Sequence, residues 1–184
     1  MRYLFFDLET NSPYQRQARL VQLAFIVTDE QGNFHNTYEN IAIPNDFDIQ
    51  NAHIHGITLE KAKAQGIPLL TIIEQFMDAI KQSDLLIAHH AEYHKKVIFN
   101  ELKALKLTKQ YFSLVYHKPT YCTMQSSIEF CQIKKRGKEL LKYPKLTELH
   151  TRLFDSELTG EKSALRDTEA VMKCYFALQQ VLKS

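Results

Sequence analysis

Tyr3-Leu4-Phe5-Phe6-Asp7-Leu8-Glu9 is the stretch on which the fold turns. It is apolar or aromatic at every position but two, which predicts a strand buried on both faces in the middle of a sheet. Asp7 and Glu9 lie two apart, so their carboxylates share one face of that strand. Two acids closing a buried strand repel each other and lose solvation, so they need a cation or an exit into water. The residues alone leave two readings. One is a hard divalent-metal site, Mg²⁺ or Mn²⁺, which prefers oxygen ligands. The other is a pair of solvated acids where the strand runs out into Thr10-Asn11-Ser12-Pro13.

Outward from this strand, Leu20 to Thr28 reads as a second apolar strand. Asp29-Glu30-Gln31-Gly32-Asn33 is a turn, and Phe34 to Ile43 a third strand that Pro44 ends. Strand, turn, strand at this spacing predicts an antiparallel meander. A loop follows from Asn45 to Ile57. Thr58 can cap a short helix, Leu59 to Gln65, that Gly66 stops. Pro68 suits the first position of a helix running to about Gln82, with Leu69, Ile72, Ile73, Phe76 and Ile80 at helical spacing. Asp84 to His89 is a fourth strand, and Glu92 to Lys106 a helix with Val97, Ile98, Leu102 and Leu105 on one face. Leu114 to Cys122 reads as extended, a fifth strand. Gln125 to Cys131 and Leu146 to Leu153 read as short helices, and Ala164 to Leu182 as a long closing helix. Three strands followed by strands alternating with helices predict an α/β fold, a mixed five-stranded sheet flanked by helices.

The chain has 184 residues, 45% hydrophobic and 24% charged. At about 150 residues per domain this predicts a single domain spanning 1–184, and the composition excludes a disordered, collagen-like or coiled-coil chain. No apolar run approaches the roughly 20 residues needed to span a bilayer, so no membrane is expected. No signal peptide is read at the N-terminus either. Cys122, Cys131 and Cys174 fit no zinc or redox spacing and are expected to be reduced, buried thiols in a cytoplasmic protein. The net charge of +2, from 23 basic and 21 acidic residues, places any electrostatic footprint locally. Ile133 to Lys145 is the one concentrated basic segment, with Lys134, Lys135, Arg136, Lys138, Lys142 and Lys145 against Glu139. It could track a phosphate backbone or be a solvated loop. His90 and His94, four apart, could share a helix face and bind a transition metal, or be two partly exposed histidines at a helix start. Asp167, early in the last helix, taken alone only complements the helix dipole.

Together these segments are similar to one family. Phe5-Phe6-Asp7-Leu8-Glu9-Thr10 resembles the first motif, commonly written F-D-x-E-T-T, of the DnaQ-like 3′–5′ exonucleases, the DEDDh group of the ribonuclease H-like superfamily. His55-Gly56-Ile57-Thr58 resembles the H-G-I-T that often follows the third strand there. Ala88-His89-His90-Ala91-Glu92-Tyr93-His94 sits where A-H-N-x-x-F-D is expected, and Lys162-Ser163-Ala164-Leu165-Arg166-Asp167 where H-x-A-L-x-D is expected. The resemblance runs from residue 3 to about 178, with four segments in order.

It implies four carboxylates holding two metal ions and a histidine general base, acting on the 3′ end of single-stranded DNA or RNA. Carried over by position, Asp7, Glu9 and Asp167 are present as metal ligands, but His94 stands where the second-motif aspartate belongs and Lys162 where the histidine base belongs. Replacing an aspartate by histidine removes a charge and a hard oxygen ligand, which should harm Mg²⁺ binding more than Mn²⁺ and could leave only one ion. Lysine is normally charged and a poor base at neutral pH. Weakened exonuclease activity is therefore expected, with a strand-binding module of the same fold as the alternative. Glu92, Glu161 and Glu169 are not expected to replace the missing ligand. The backbone of Leu8 to Thr10, with His55, Ile57 and Tyr93, is expected to line the substrate pocket. Neither a polymerase partner nor self-association is readable from the residues.

Overall fold

The computed structural model describes residues 1–14 and 16–182. Its first strand, β1 (Arg2–Thr10), is central, as its two apolar faces require. β2 (Leu20–Asp29) pairs with it antiparallel, with Phe5 opposite Ile26 and Asp7 opposite Ala24. β3 (Phe34–Ile41) continues the meander at the edge. Loop 42–58 holds a one-turn helix, α1 (Ala52–His55), that the sequence reading treated as loop. α2 (Leu59–Gln65) begins at Thr58, whose side chain accepts the Lys61 N–H, and stops at Gly66, where a Cβ would collide with the Ala62 carbonyl oxygen. α3 (Leu69–Gln82) lays Ile72, Ile73, Phe76 and Ile80 on the sheet.

β4 (Leu85–Ala88), shorter than expected, pairs parallel to β1, with Leu85 opposite Tyr3 and Ile87 opposite Phe5. α4 (Ala91–Ala104) follows. The expected strand at Leu114 to Cys122 is a correction. Residues through His117 form a helix, α5 (Thr108–His117), and only β5 (Thr120–Cys122) is extended, parallel to β4. Tyr111 and Val115, four apart, are its buried residues, so a helical stripe was read there as a strand's apolar run. The expected helix at Gln125 to Cys131 is two single turns, α6 (Thr123–Ser126) and α7 (Ile128–Cys131). α8 (Leu146–Phe154) and the long α9 (Ala164–Val181) complete the chain. The sheet order β3-β2-β1-β4-β5, three antiparallel strands and then two parallel ones with helices on the faces, is the expected ribonuclease H-like mixed sheet. Cys131 and Cys174 are buried and Cys122 partly so, all three unpaired. No helix among the described residues is long and apolar enough to cross a membrane.

The period-2 alternation of β1 sorts its side chains. Leu4, Phe6 and Leu8 join the core against α3 and α4, whereas Phe5 packs with Val171 and Tyr175 of α9. Asp7 and Glu9 therefore share the α9 side. β4 pairs with β1 only as far as Phe5, so both acids project past the carboxyl end of their parallel neighbour, the place where open α/β sheets take ligands.

The segment leaving β1 is held by one buried ion pair. Glu101 of α4 has no exposed surface, yet it accepts hydrogen bonds from Arg19 Nε at 3.0 Å and from the Leu20 N–H at 2.7 Å. Arg19 also reaches Asp46 at 3.0 Å, so one guanidinium joins the loops that follow β1 and β3. Glu101→Ala would leave the buried Leu20 amide without its acceptor and the half-buried Arg19 guanidinium with Asp46 alone, a loss of about 1–3 kcal/mol. Urea unfolding should show the midpoint falling with the slope unchanged.

Candidate active site

Three elements build the site: the end of β1, the turn from β4 into α4, and the first turn of α9. The α9 end is set by side chains from the sheet. Ser163 caps it by accepting the Arg166 N–H at 3.1 Å. Gln22 of β2 accepts the Ala164 N–H and Glu39 of β3 the Leu165 N–H, each at 3.1 Å, while Gln22 donates to Glu39 at 3.0 Å. A helix start leaves its first N–H groups without intrahelical partners, and these contacts satisfy three of them. That anchoring delivers Asp167 to β1, and ligand oxygens of Asp7, Glu9 and Asp167 lie within 4.8 Å of one another.

Asp7 and Glu9 are buried, at 7% and 5% exposure. Lys162 enters the cluster from the segment before α9. Its Nζ contacts Glu9 Oε1 and donates to Asp167 Oδ2 at 3.2 Å. Arg166 clamps the other oxygen of Asp167 through Nε, at 2.8 Å, and Nη2. Three carboxylates against two cations leave one negative charge uncompensated. Burial, reinforced by the Asp7 charge, accordingly pushes the Glu9 carboxyl up to about 7 despite the Lys162 hydrogen bond. Burial pulls the Lys162 ammonium down, but the charges of Asp167 and Glu9 outweigh it and raise its pKa above the usual lysine value. Lys162 is therefore a fixed cation and no base at neutral pH.

His94 does face the acids, with Nε2 at 3.3 Å from Asp7 Oδ1, but Nε2 also lies 2.8 Å from the His89 carbonyl oxygen. A carbonyl only accepts, so Nε2 carries the hydrogen and offers no lone pair to a metal. The other ring nitrogen, Nδ1, is buried without a partner. His94 thus places a ring nitrogen beside Asp7, with its hydrogen given to the His89 carbonyl, at the position where the resemblance implies a carboxylate ligand. His90 is exposed and opens α4 in the left-handed conformation at φ 70°, so the two histidines do not pair on a metal. Asparagine and histidine both tolerate that conformation. His89 donates from Nε2 to the Pro144 carbonyl and meets Thr123 Oγ1 at Nδ1, both at 3.0 Å. Burial lowers its pKa to about 4, so it is a neutral strut between the turn and the loop before α8.

The expected pocket residues divide. Thr10 Oγ1 and Tyr93 Oη lie 2.9 Å apart, and Tyr93 donates to the Ser12 carbonyl, joining α4 to the end of β1. His55 is buried; the Ile57 N–H donates to its Nδ1 at 3.2 Å, and burial lowers its pKa. His55, Ile57 and Lys162 line a 320 Å³ recess together with Gln22 and Glu39. Leu8 turns its side chain into the core, so only its backbone faces the site. Glu92, Glu161 and Glu169 are exposed and outside the acid cluster. In the basic segment Lys134 pairs with Glu139 at 2.6 Å and Lys142 with Glu148 at 2.5 Å, which weakens its net field. The sequence reading assigned no role to Arg166, Gln22 or Glu39. Arg166 adjoins Asp167 in the quoted motif, a signal that was available, but nothing in one dimension links Gln22 and Glu39 to residue 164.

A small octahedral ion holds its oxygens about 3–4 Å apart. The three acids fit one such ion after a slight contraction and the outward swing of Lys162, whose side chain is 34% exposed. They do not fit a second, because the fourth carboxylate is His94.

The sequence matches the model of an exonuclease family, RNase T, over residues 4–175. No curated protein sequence matches it. The fold is similar to that of E. coli exonuclease I solved with a dA16 oligonucleotide (TM-score 0.75, 15% identity, 97% of this chain and 41% of that one). It is likewise similar to the zinc-bound form of the E. coli exonuclease I–ssDNA complex (TM-score 0.78, 18% identity, 98% and 40%). The chain spans about two fifths of the length of those proteins.

Glu9 supplies a pH test of the cluster's charge. Its folded pKa is raised, so its stabilising contribution is complete below pH 4.5 and is lost as pH rises through about 7. In chelator, Glu9→Gln should exceed the wild type in stability near pH 8 by about 3 kcal/mol, at 1.36 kcal/mol per pKa unit. The gap should close below pH 4.5 when unfolding is followed across that range.

Proposed function

The chain belongs to the RNase T exonuclease family, and on that premise we propose that it is a DnaQ-like hydrolase cleaving nucleotides from the 3′ end of single-stranded nucleic acid. We read it as depending on one divalent ion, with low Mg²⁺ activity. The observation that carries this reading is the convergence of Asp7, Glu9 and Asp167 within 4.8 Å. These three would hold the ion. Bound there, it would polarise the scissile phosphodiester and stabilise charge on the departing oxygen.

The chain's own residues do the rest. The Lys162 ammonium, freed from Glu9, stays beside Asp167 as a positive charge that can meet a phosphate oxygen. His94 keeps Nε2 3.3 Å from Asp7 Oδ1 while its hydrogen goes to the His89 carbonyl, so it packs beside that carboxylate without ligating the ion. Thr10 and Tyr93, tied to each other and to the Ser12 carbonyl, form a wall for the terminal nucleotide. No group in the cluster takes a proton from water as neutral imidazole does, because Nε2 of His94 is a donor and Lys162 is held protonated. General-base catalysis contributes about 10²–10⁴-fold, and that is the deficit expected here. Mg²⁺ demands near-ideal octahedral geometry and gives up its waters reluctantly, so with only three carboxylates present Mn²⁺ is expected to support more activity.

A second reading has its own observation. Lys162 bridging Glu9 and Asp167 partly compensates the acids without a metal, which suits a module that keeps the strand and has lost cleavage. Labelled oligonucleotide with Mg²⁺, Mn²⁺ or chelator separates the two. Mn²⁺-dependent cleavage that disappears in Asp7→Ala supports the enzyme, and salt-sensitive binding without cleavage supports the module. Restoring the family residues with His94→Asp and Lys162→His together should raise Mg²⁺ activity about 100-fold or more. Each change alone should give far less than its share, because both act on one site. An unchanged rate in the folded double variant would mean that these two positions do not limit the chemistry.

A further inference from the structure

Helices α4 and α5 form a hairpin whose inner faces are committed to the core through Val97, Ile98, Leu102, Tyr111 and Val115. Its outer face carries an aromatic ladder. Phe99 and Phe112 have centroids 5.2 Å apart, and Phe112 stacks on Tyr116 at 5.2 Å with the planes 12° from parallel. Phe112 and Tyr116 remain 44% and 58% exposed, a large apolar exposure for surface aromatics that gain nothing from the core.

The ladder is the floor of two adjoining grooves of 610 and 640 Å³ that share Lys96, Phe99 and Phe112. Their rims are basic. Arg16, Lys96 and Lys103 are exposed and form no ion pair with any described residue, against the single acid Glu92. Lys95 is excluded from that count because its Nζ is spent on Thr120 Oγ1 at 3.3 Å and the Tyr116 carbonyl at 3.5 Å, holding the end of α5 to α4. The helix that carries this face also reaches the end of β1, where Tyr93 meets Thr10 next to Glu9. Tyr93 sits at the site end of α4, and Lys96, Phe99 and Lys103 follow at steps of three and four along one helix face. Arg16 belongs to the loop whose Ser12 carbonyl accepts from Tyr93.

Rings standing open to solvent, unpaired cations beside them and a helix that leads to the end of β1 are what a single-stranded polyanion with stacking bases needs. We propose that the outer face of α4 and α5 is a track for single-stranded nucleic acid. Bases stack on Phe112 and Tyr116, Lys96, Lys103 and Arg16 meet the phosphates, and the 3′ end lies at Asp7, Glu9 and Asp167. The last placement rests on the nuclease reading; the track itself does not. A folded peptide would find no acid–base alternation here, and an acidic protein would not need rings stacked parallel to one another.

The test is equilibrium binding to the full chain, in chelator, of a fluorescent oligothymidylate of about 12 nucleotides, beside a trinucleotide that reaches only the acid cluster. Stacking of about 1–3 kcal/mol per base corresponds to roughly 5- to 150-fold, so Phe112→Ala with Tyr116→Ala should weaken the longer strand at least about tenfold and leave the trinucleotide unchanged. Lys96→Gln with Lys103→Gln should lower the slope of log affinity against log salt by about 1.4, at roughly 0.7 per phosphate contact on a single strand. Should the ring pair fail to fold, 2-aminopurine placed several nucleotides from the 3′ end reports on the wild type. Quenching on binding supports the track, and unchanged emission overturns it. Affinity for the longer strand within about twofold of wild type in the ring variant, or an unaltered salt slope in the lysine variant, also overturns it. Ring-dependent binding by a wild type that cleaves nothing in Mn²⁺ would overturn the nuclease reading while leaving the track standing.

Discussion

Mutual repulsion among Asp7, Glu9 and Asp167 is the constraint around which the molecule is arranged. Three carboxylates gathered within 4.8 Å at the end of a buried strand would drive one another apart or take up protons unless cations were supplied. Two cations come from the chain itself: Arg166 fixes one oxygen of Asp167, and Lys162 lies between Glu9 and the other. Burial, reinforced by the Asp7 charge, raises the Glu9 carboxyl to about 7. The pocket is thus neither a neutralised structural cluster nor a fully charged metal cage. It is close enough to balance to persist without an ion and negative enough to attract one.

The scaffold bears the cost of holding these groups together through contacts far from the acids. β1 sends its even side chains into the main core and its odd ones toward α9, which puts Asp7 and Glu9 on the side where Asp167 arrives. Gln22 and Glu39 hold the first turn of α9 by its own backbone. Glu101 and Arg19 tie down the chain that leaves β1, and His89 locks the turn into α4 to the loop before α8. Each of these groups acts by positioning; Gln22, Glu101 and His89 are buried and Glu39 and Arg19 half-buried, and each has its partners in the fold, as burial demands.

Two departures from the family pattern have different structural consequences. Lys162 adds a fixed positive charge where a neutral base is expected: it compensates the acids and holds its proton. His94 removes a charge and gives its Nε2 hydrogen to the His89 carbonyl, so it brings no lone pair to the acids. With both in place, the carboxylates that converge are Asp7, Glu9 and Asp167. The aromatic and basic face of α4 and α5 is untouched by either change, so strand binding and phosphodiester cleavage can respond separately to substitution.

The antiparallel start of a mixed sheet, the central position of β1 and the placing of Asp7 with Glu9 on one face were legible from the residues, because alternation along a strand is a local property that needs no partner to be read. The second motif likewise marked His94 by position, and the last marked Lys162 and Asp167. Where short-range signals conflicted, the reading went astray: Tyr111 and Val115 mark a helix, yet the β-branched and aromatic residues from Leu114 onward suggested a strand, and the packing of α5 against α3 and α4 decided the matter. Which atom of His94 faces Asp7, which carboxylates Lys162 bridges, and that Gln22 and Glu39 hold the start of α9 were decided by the tertiary structure alone. These depend on distances between residues up to 153 positions apart in the chain. Hydrogen-bond direction and charge compensation are set by such through-space distances, and linear spacing carries no record of them.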